Sequence, residues 1–219
     1  MKQLPGIALF FAFCISCANA ADESIDRLIN KLPPPQKFVD PAISDPLAKQ
    51  IMPALKAHNY GVALELSRKL AARYPKSLGA QMTHGMLAAS VREFAEAGKA
   101  YKAALSIRPD FPPAYVGLGV ISLVKNDYPA ALTSFQRVTR AAPNVDIGWI
   151  GCSICAEKLG RKRDSLEFAR RATAVAPSSV GAWLQAAREE NLAGNAQTAK
   201  VDLDKANKLR RSASRNKSG

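Results

Sequence analysis

Four prolines recur at a fixed interval of 34 residues, and this period constrains the fold more than any other feature of the chain. They are Pro75, Pro109, Pro143 and Pro177. A repeat of this length is typical of stacked supersecondary units that bury their apolar faces against one another. Because proline cannot continue a helix, each of these prolines is expected to end the second helix of a unit. The spacing therefore predicts an all-α solenoid of helix–turn–helix units.

Two other features repeat in phase with the prolines. The turn between the helices of each unit is expected at residues 58–60, 92–94, 126–128, 160–162 and 194–196, where Asn and Gly recur. Asn and Gly tolerate the left-handed conformation that ends a helix. A small residue follows each turn, which lets the two helices approach closely. These small residues are Ala63, Ala97, Ala131, Ser165 and Ala199.

The combined pattern resembles the tetratricopeptide repeat, which has the same period. The match is clearest in residues 112–145, where the characteristic positions hold Tyr115, Leu118, Gly119, Ala131, Phe135 and Pro143. Trp149 and Trp183 occupy the family's tryptophan position in the next two units. The resemblance implies a right-handed superhelix of about five units. Aligned on the prolines, the units are 44–77, 78–111, 112–145, 146–179 and 180–211.

The first twenty residues have the pattern of a secretory signal peptide. Lys2 precedes an apolar stretch at residues 7–17, and Ala18 and Ala20 form an A-x-A cleavage site. Cleavage after Ala20 would lower the formal charge from +13 to +12 and place the protein in the periplasm or outside the cell. Two alternatives remain open. The segment could stay uncleaved as an anchor, or the chain could be a lipoprotein anchored through Cys17.

The segments that flank the repeats have their own patterns. Residues 21–43 contain a short amphipathic helix at 24–32 and a spacer formed by three consecutive prolines. Residues 212–219 are basic and expected to be disordered. Pro53 is expected to make the first unit irregular. Arg211 stands in place of the periodic proline, so the last helix can continue toward the tail.

A partner-binding groove is what the resemblance implies, because the first helices of such repeats line a concave surface. The side chains expected there are Met82, Met86, Val116, Val120, Ile150, Ile154, Leu184 and Arg188. An apolar groove of this kind would bind a partner peptide or helix, and the amphipathic segment 24–32 is expected to dock there. The alternative is that the same side chains simply pack against neighbouring helices.

Basic residues recur on the second helices, which form the convex face in the related repeats. The candidate basic face consists of Arg68, Lys69, Lys102, Arg137, Arg140, Arg170 and Arg171. Most such charges solvate a helix. The functional alternative is a structural envelope component that binds anionic polymer or lipid through this face. Nucleic acid is not expected, because no stacking aromatic residues alternate with the cations.

Catalytic, metal and cofactor sites are not expected. The chain contains only two histidines, His58 and His84, and neither belongs to a recognisable nucleophile or metal motif. Cys152 and Cys155 lie inside a helical repeat and are interpreted as buried packing residues, with a strained disulfide as the alternative. The sequence predicts a non-enzymatic, protein-binding adaptor of the bacterial cell envelope.

Overall fold

The computed structural model describes residues 40–215, which form one short 3-10 helix, η1 (Pro41–Ser44), and ten α-helices. The α-helices are α1 (Pro46–Lys56), α2 (Tyr60–Arg73), α3 (Leu78–Ser90), α4 (Phe94–Ile107), α5 (Pro112–Val124), α6 (Tyr128–Ala141), α7 (Asp146–Lys158), α8 (Lys162–Val175), α9 (Val180–Leu192) and α10 (Ala196–Arg215). The signal peptide, the amphipathic segment 24–32 and the proline spacer lie outside the described residues.

Consecutive helices pair into five units, from unit 1 (α1 and α2) to unit 5 (α9 and α10). From unit 2 onward each unit begins 34 residues after the last, at Leu78, Pro112, Asp146 and Val180. Each second helix contacts the first helix of the next unit, and the first helices of units 2 to 5 also contact one another. The fold is therefore an α-solenoid wound as a right-handed superhelix, with the first helices inside.

The turn between the two helices of each unit contains one residue in the left-handed conformation. These residues are His58, Arg92, Asn126, Gly160 and Gly194, with φ between 56° and 84°. Their positions match the turns that the sequence predicts. Side chains cap two of the helices that follow, because Asn59 and Asp127 each accept a hydrogen bond from a backbone N–H in the first turn. Local sequence therefore sets both ends of these turns.

An aromatic ring held between two glycines sets the distance between neighbouring units. The ring of Phe135 on α6 packs against Gly119 of its own unit and Gly151 of the next unit. A Cβ atom added at Gly119 would lie 2.8 Å from the ring, and one at Gly151 would lie closer still. The same arrangement between units 2 and 3 consists of Tyr101, Gly85 and Gly117. Glycine is required at these sites because any side chain would push the helices apart.

The periodic prolines also accept hydrogen bonds from the next unit. Trp149 Nε1 donates to the carbonyl oxygen of Pro143 at 2.9 Å, and Trp183 Nε1 donates to that of Pro177 at 2.8 Å. Each proline therefore ends one unit and also positions the indole ring of the following one.

Both ends of the array depart from this regular pattern. Helix α1 has 11 residues and continues through Pro53, which removes one backbone hydrogen bond near its C-terminus. Helix α10 has 20 residues, because Arg211 replaces the proline that ends the other second helices. It continues through Arg215, so the first four residues of the predicted disordered tail are helical.

Candidate interaction surfaces

The predicted groove has fewer accessible side chains than the sequence suggests, because half of its predicted residues are buried. Met82, Met86, Val116 and Ile150 are only 6%, 3%, 2% and 2% exposed, and they belong to the hydrophobic clusters of the solenoid. The first helices of successive units touch one another, which covers these positions. The prediction that these four residues face a partner is therefore wrong for the folded chain, and the packing alternative applies to them.

The other four predicted groove residues form what we call the inner strip: Val120, Ile154, Leu184 and Arg188. Exposure rises along the array at one repeated position of the first helices. Met86 is buried, Val120 and Ile154 are half-buried, and Arg188 is exposed. The inner strip is therefore most accessible in the C-terminal half of the solenoid.

An ion pair lies at the C-terminal end of the inner strip. Arg188 Nε and Nη2 donate to the two carboxylate oxygens of Glu157 at 2.9 and 2.8 Å, which joins α9 to α7. Burial opposes ionisation of Glu157, but the hydrogen bonds from Arg188 outweigh it and lower the pKa of this carboxyl group. The predicted site residue Arg188 thus also links units 4 and 5.

Units 4 and 5 are joined by a buried polar cluster instead of an aromatic ring. Ala169 occupies the position that Tyr101 and Phe135 hold in the earlier units. The hydroxyl groups of Ser153 and Ser165 each donate to the other residue's backbone carbonyl, at 2.9 and 2.8 Å. Gln185 Nε2 lies 3.1 Å from Ser153 Oγ. The repeat pattern did not predict this cluster, although the loss of the repeated aromatic residue at Ala169 was a signal for it.

Two buried carboxyl groups on α9 extend the polar junction. Gln185 donates to Glu189 at 2.8 Å, and burial raises the pKa of Glu189. Glu190 accepts hydrogen bonds from Arg170 Nε at 2.8 Å and Asn195 Nδ2 at 2.7 Å. Because both carboxyl groups are nearly inaccessible to solvent, these hydrogen bonds are needed to offset the cost of burying them.

A second polar junction connects units 1 and 2. His84 Nε2 lies 3.0 Å from a Glu96 carboxylate oxygen, and His84 Nδ1 lies 3.1 Å from Ser67 Oγ. Arg68 donates to both Glu96 oxygens at 2.6 and 2.8 Å, and this interaction lowers the pKa of Glu96 to about 2. Burial lowers the pKa of His84.

This serine, histidine and glutamate arrangement is not placed for nucleophilic attack. Ser67 is 0% exposed, and its hydroxyl donates to the backbone carbonyl of Leu64 at 2.7 Å. A nucleophile needs access to substrate and a base that takes its proton. The geometry instead satisfies buried polar groups between α2, α3 and α4.

The two cysteines within residues 40–215 are free thiols on the buried side of α7. Cys152 and Cys155 are both 0% exposed. Burial raises the pKa of each thiol to about 12, so neither forms a reactive thiolate near neutral pH. The structure agrees with their interpretation as packing residues, and the alternative disulfide is not formed.

Two of the seven cations of the candidate basic face form ion pairs, and one of these, Arg170, is also exposed. Arg68 bridges to Glu65, Glu93 and Glu96, and Arg170 pairs with Glu190 of the next unit. The remaining five residues, which are Lys69, Lys102, Arg137, Arg140 and Arg171, are exposed. They leave the outer surface of α2, α4, α6 and α8 positively charged.

None of the helices within residues 40–215 combines the length and apolar character needed to cross a membrane. Over the same range, no group of three or more His, Cys, Asp or Glu side chains is arranged to hold a metal ion.

Comparisons with known proteins agree on the repeat. The family model of the tetratricopeptide repeat matches residues 88–149. No curated protein matches the chain.

Among solved structures, a crystal structure of MamA is 14% identical, with a TM-score of 0.66 over 78% of this chain and 98% of that one. A MamA RS-1 double mutant is 17% identical, with the same TM-score, over 76% of this chain and 94% of the other. MamA residues 41 to the end from Desulfovibrio magneticus RS-1 are also 17% identical, with a TM-score of 0.65 and the same coverage. At these identities the likeness shows the fold alone.

Proposed function

Because the chain is a tetratricopeptide repeat protein, we propose that it is a non-enzymatic scaffold of the bacterial cell envelope that binds a protein partner along the inner strip. Stacked repeats expose long continuous surfaces, and such surfaces are used for protein binding. The observation that carries the proposal is the rising exposure from Met86 through Val120 and Ile154 to Arg188. Val120 and Ile154, on the consecutive first helices α5 and α7, pack partly against the core and keep part of their apolar surface exposed, which supports the proposal.

The chemistry of the inner strip indicates the kind of segment that would bind there. Val120, Ile154 and Leu184 offer an apolar track, and the Glu157–Arg188 pair offers charged groups at its end. An amphipathic helix or extended peptide with regularly spaced apolar side chains fits such a track. Binding through apolar contacts should persist at high salt, since screening weakens mainly exposed charges.

The envelope location depends on the signal-peptide pattern at residues 1–20 and is part of the proposal. An exported repeat protein would meet its partners in the periplasm or outside the cell. The alternative attachment through Cys17 would keep the same repeats at a membrane surface.

Site-specific photo-crosslinking in envelope extracts tests the proposal. A photoreactive residue at Ile154 should form a crosslink to a discrete protein, whereas one at Thr133, on the exposed side of α6, should not. The double variant Val120→Asp and Ile154→Asp should abolish capture of the same protein. Circular dichroism of the variant checks that the helices remain folded.

Two results would contradict the proposal. Equal crosslinking from Ile154 and Thr133 would show that the inner strip has no preferred partner. Capture that survives the double variant but disappears at high salt would show that charge on another surface carries the binding.

A further inference from the structure

The second helices carry a line of exposed cations at one repeated position. The tenth residue of α2, α6, α8 and α10 is Lys69, Arg137, Arg171 and Lys205 respectively, and all four are exposed. We call these four residues the cationic line. Because each stands a whole number of repeats from the others, they occupy equivalent places on the second helices of units 1, 3, 4 and 5. In α4 the tenth residue is Ala103, but the exposed Lys102 is adjacent to it.

Adjacent cations on the second helices have different roles: one forms an ion pair between units, and the next faces outward. Arg68 and Arg170 each precede a member of the cationic line, and both form ion pairs with carboxylates of the following unit. Within residues 40–215, Arg137, Arg140 and Arg171 have no carboxylate within ion-pair distance. These three arginines are therefore not used in ion pairs of the fold, whereas Lys205 lies over the ring of Trp183, 4.1 Å from its centroid.

Acidic side chains do not neutralise the centre of this face. Helix α6 contains no Asp or Glu, and the one acidic residue of α4 is Glu96, which is already bound to Arg68. Helix α8 has Asp164 and Glu167, and Asp164 is paired with Arg161. The outer surface of α4 and α6 therefore keeps an uncompensated positive charge.

The centre of this face lacks the apolar anchors of a protein interface. The large apolar side chains that the described chain leaves exposed include Val62 on α2 and Val201 and Leu203 on α10, at the two ends of the face, but none of them lies on α4, α6 or α8. Protein interfaces depend on a buried core of apolar and aromatic residues. A surface that carries cations without central apolar anchors is suited instead to bind a negatively charged layer with many equivalent phosphate groups.

We propose that the cationic line and Arg140 dock the protein on the anionic phospholipid headgroups of a membrane surface. Guanidinium groups match phosphate oxygens in a bidentate geometry. Each cation near an anionic bilayer should increase binding about fivefold, so these five act together as a weak, reversible and salt-sensitive attachment. The contact leaves the inner strip on the first helices open, so it is independent of the protein binding proposed above.

Vesicle co-sedimentation of the full chain tests this inference. The readout is the increase in binding when phosphatidylglycerol is added to phosphatidylcholine vesicles, which separates headgroup charge from any apolar binding. The test variant combines Arg137→Gln, Arg140→Gln and Arg171→Gln. The control variant combines Lys49→Gln, Lys56→Gln and Lys125→Gln, three exposed lysines on the first helices or their ends. Both variants lose the same net charge.

The test variant should lose about a hundredfold of the phosphatidylglycerol-dependent binding, and the control should retain nearly all of it. Equal losses in the two variants would overturn the inference, because net charge and not position would then explain binding. It would also be overturned if the full chain bound soluble polyphosphate but showed no phosphatidylglycerol-dependent increase, since the partner would then be a free polymer.

Discussion

The ring of Phe135 lies directly against Gly151, so that one aromatic side chain of unit 3 packs on unit 4 at a position where unit 4 has no side chain. This contact sets the spacing between units 3 and 4. It also explains why the first helices are covered so completely. When units approach this closely, positions that line an open groove in a looser array become part of the core.

Replacing Gly151 with alanine should destabilise the protein by about 1–3 kcal/mol, because the new Cβ would overlap the Phe135 ring. Gly98→Ala is the matched control: it lies inside α4, and nothing would lie within 4 Å of its added Cβ. That change should stabilise by up to about 1 kcal/mol through helix propensity. Urea denaturation of both variants measures the difference, and equal stabilities would show that the ring can move aside.

Gly160→Ala should destabilise by about 1 kcal/mol through backbone strain alone. Gly160 has a φ of +73° and open space around its added Cβ, so no steric clash contributes. Gly61→Ala also has open space but no positive φ, and it should have little effect. Thermal unfolding compares the two variants. A melting temperature for Gly160→Ala equal to that of Gly61→Ala would contradict the role assigned to the left-handed turn.

Stability should fall as the solution is acidified through the region in which His84 would titrate in an unfolded chain. Burial lowers the pKa of His84 below its ordinary value of 6.5, while Glu96 opposes this change and Arg68 adds to it. The unfolded state therefore binds more protons below pH 6.5 than the folded state, and the free energy of unfolding decreases there. His84→Gln should flatten this part of the pH profile measured by urea denaturation. Parallel profiles for the two proteins would rule His84 out as the cause.

The cysteines should contribute through packing and not through a disulfide. Reductant should leave the melting temperature unchanged, and iodoacetamide should label Cys152 and Cys155 only after unfolding, because both are buried with a pKa of about 12. Cys152→Ala should cost less stability than Phe135→Ala, which removes a large core side chain. A sharp loss of stability on reduction would require a disulfide in place of these free thiols.

The exported protein should begin at Ala21. The A-x-A site and the short apolar stretch before it predict cleavage after Ala20. Intact-mass analysis of the protein recovered from the periplasmic or secreted fraction checks this. Lipid attached to Cys17, or an intact Met1 in the exported protein, would contradict cleavage at this site.

Much of the architecture could be predicted because it depends on local rules. Pro143 ends a helix wherever it occurs, and Gly160 and Asn126 allow the left-handed turn without any information from distant residues. Repetition of these signals at a fixed interval then implies stacking of equivalent units. The helix pairs and the turns between them follow from the amino-acid sequence in this way.

The exposure of the inner residues was not predictable in the same way. Val116 and Val120 are both apolar residues on one helix, yet the first is buried and the second is half-buried. The difference depends on how closely α5 and α7 approach, and that distance is set by Phe135 on α6 together with Gly119 on α5 and Gly151 on α7. The polar junction around Gln185 likewise requires side chains from three helices to meet.

The sequence by itself determined the repeat, the helix boundaries and the positions of the cations, because each depends on neighbouring residues or on a constant interval. Only the tertiary structure decided which of these cations are paired. Arg170 and Arg171 are adjacent in the chain and both are exposed, but only Arg170 is bound to a carboxylate, that of Glu190. The physical reason is that successive residues on a helix point in directions about 100° apart, and only the packed neighbour determines which direction is occupied.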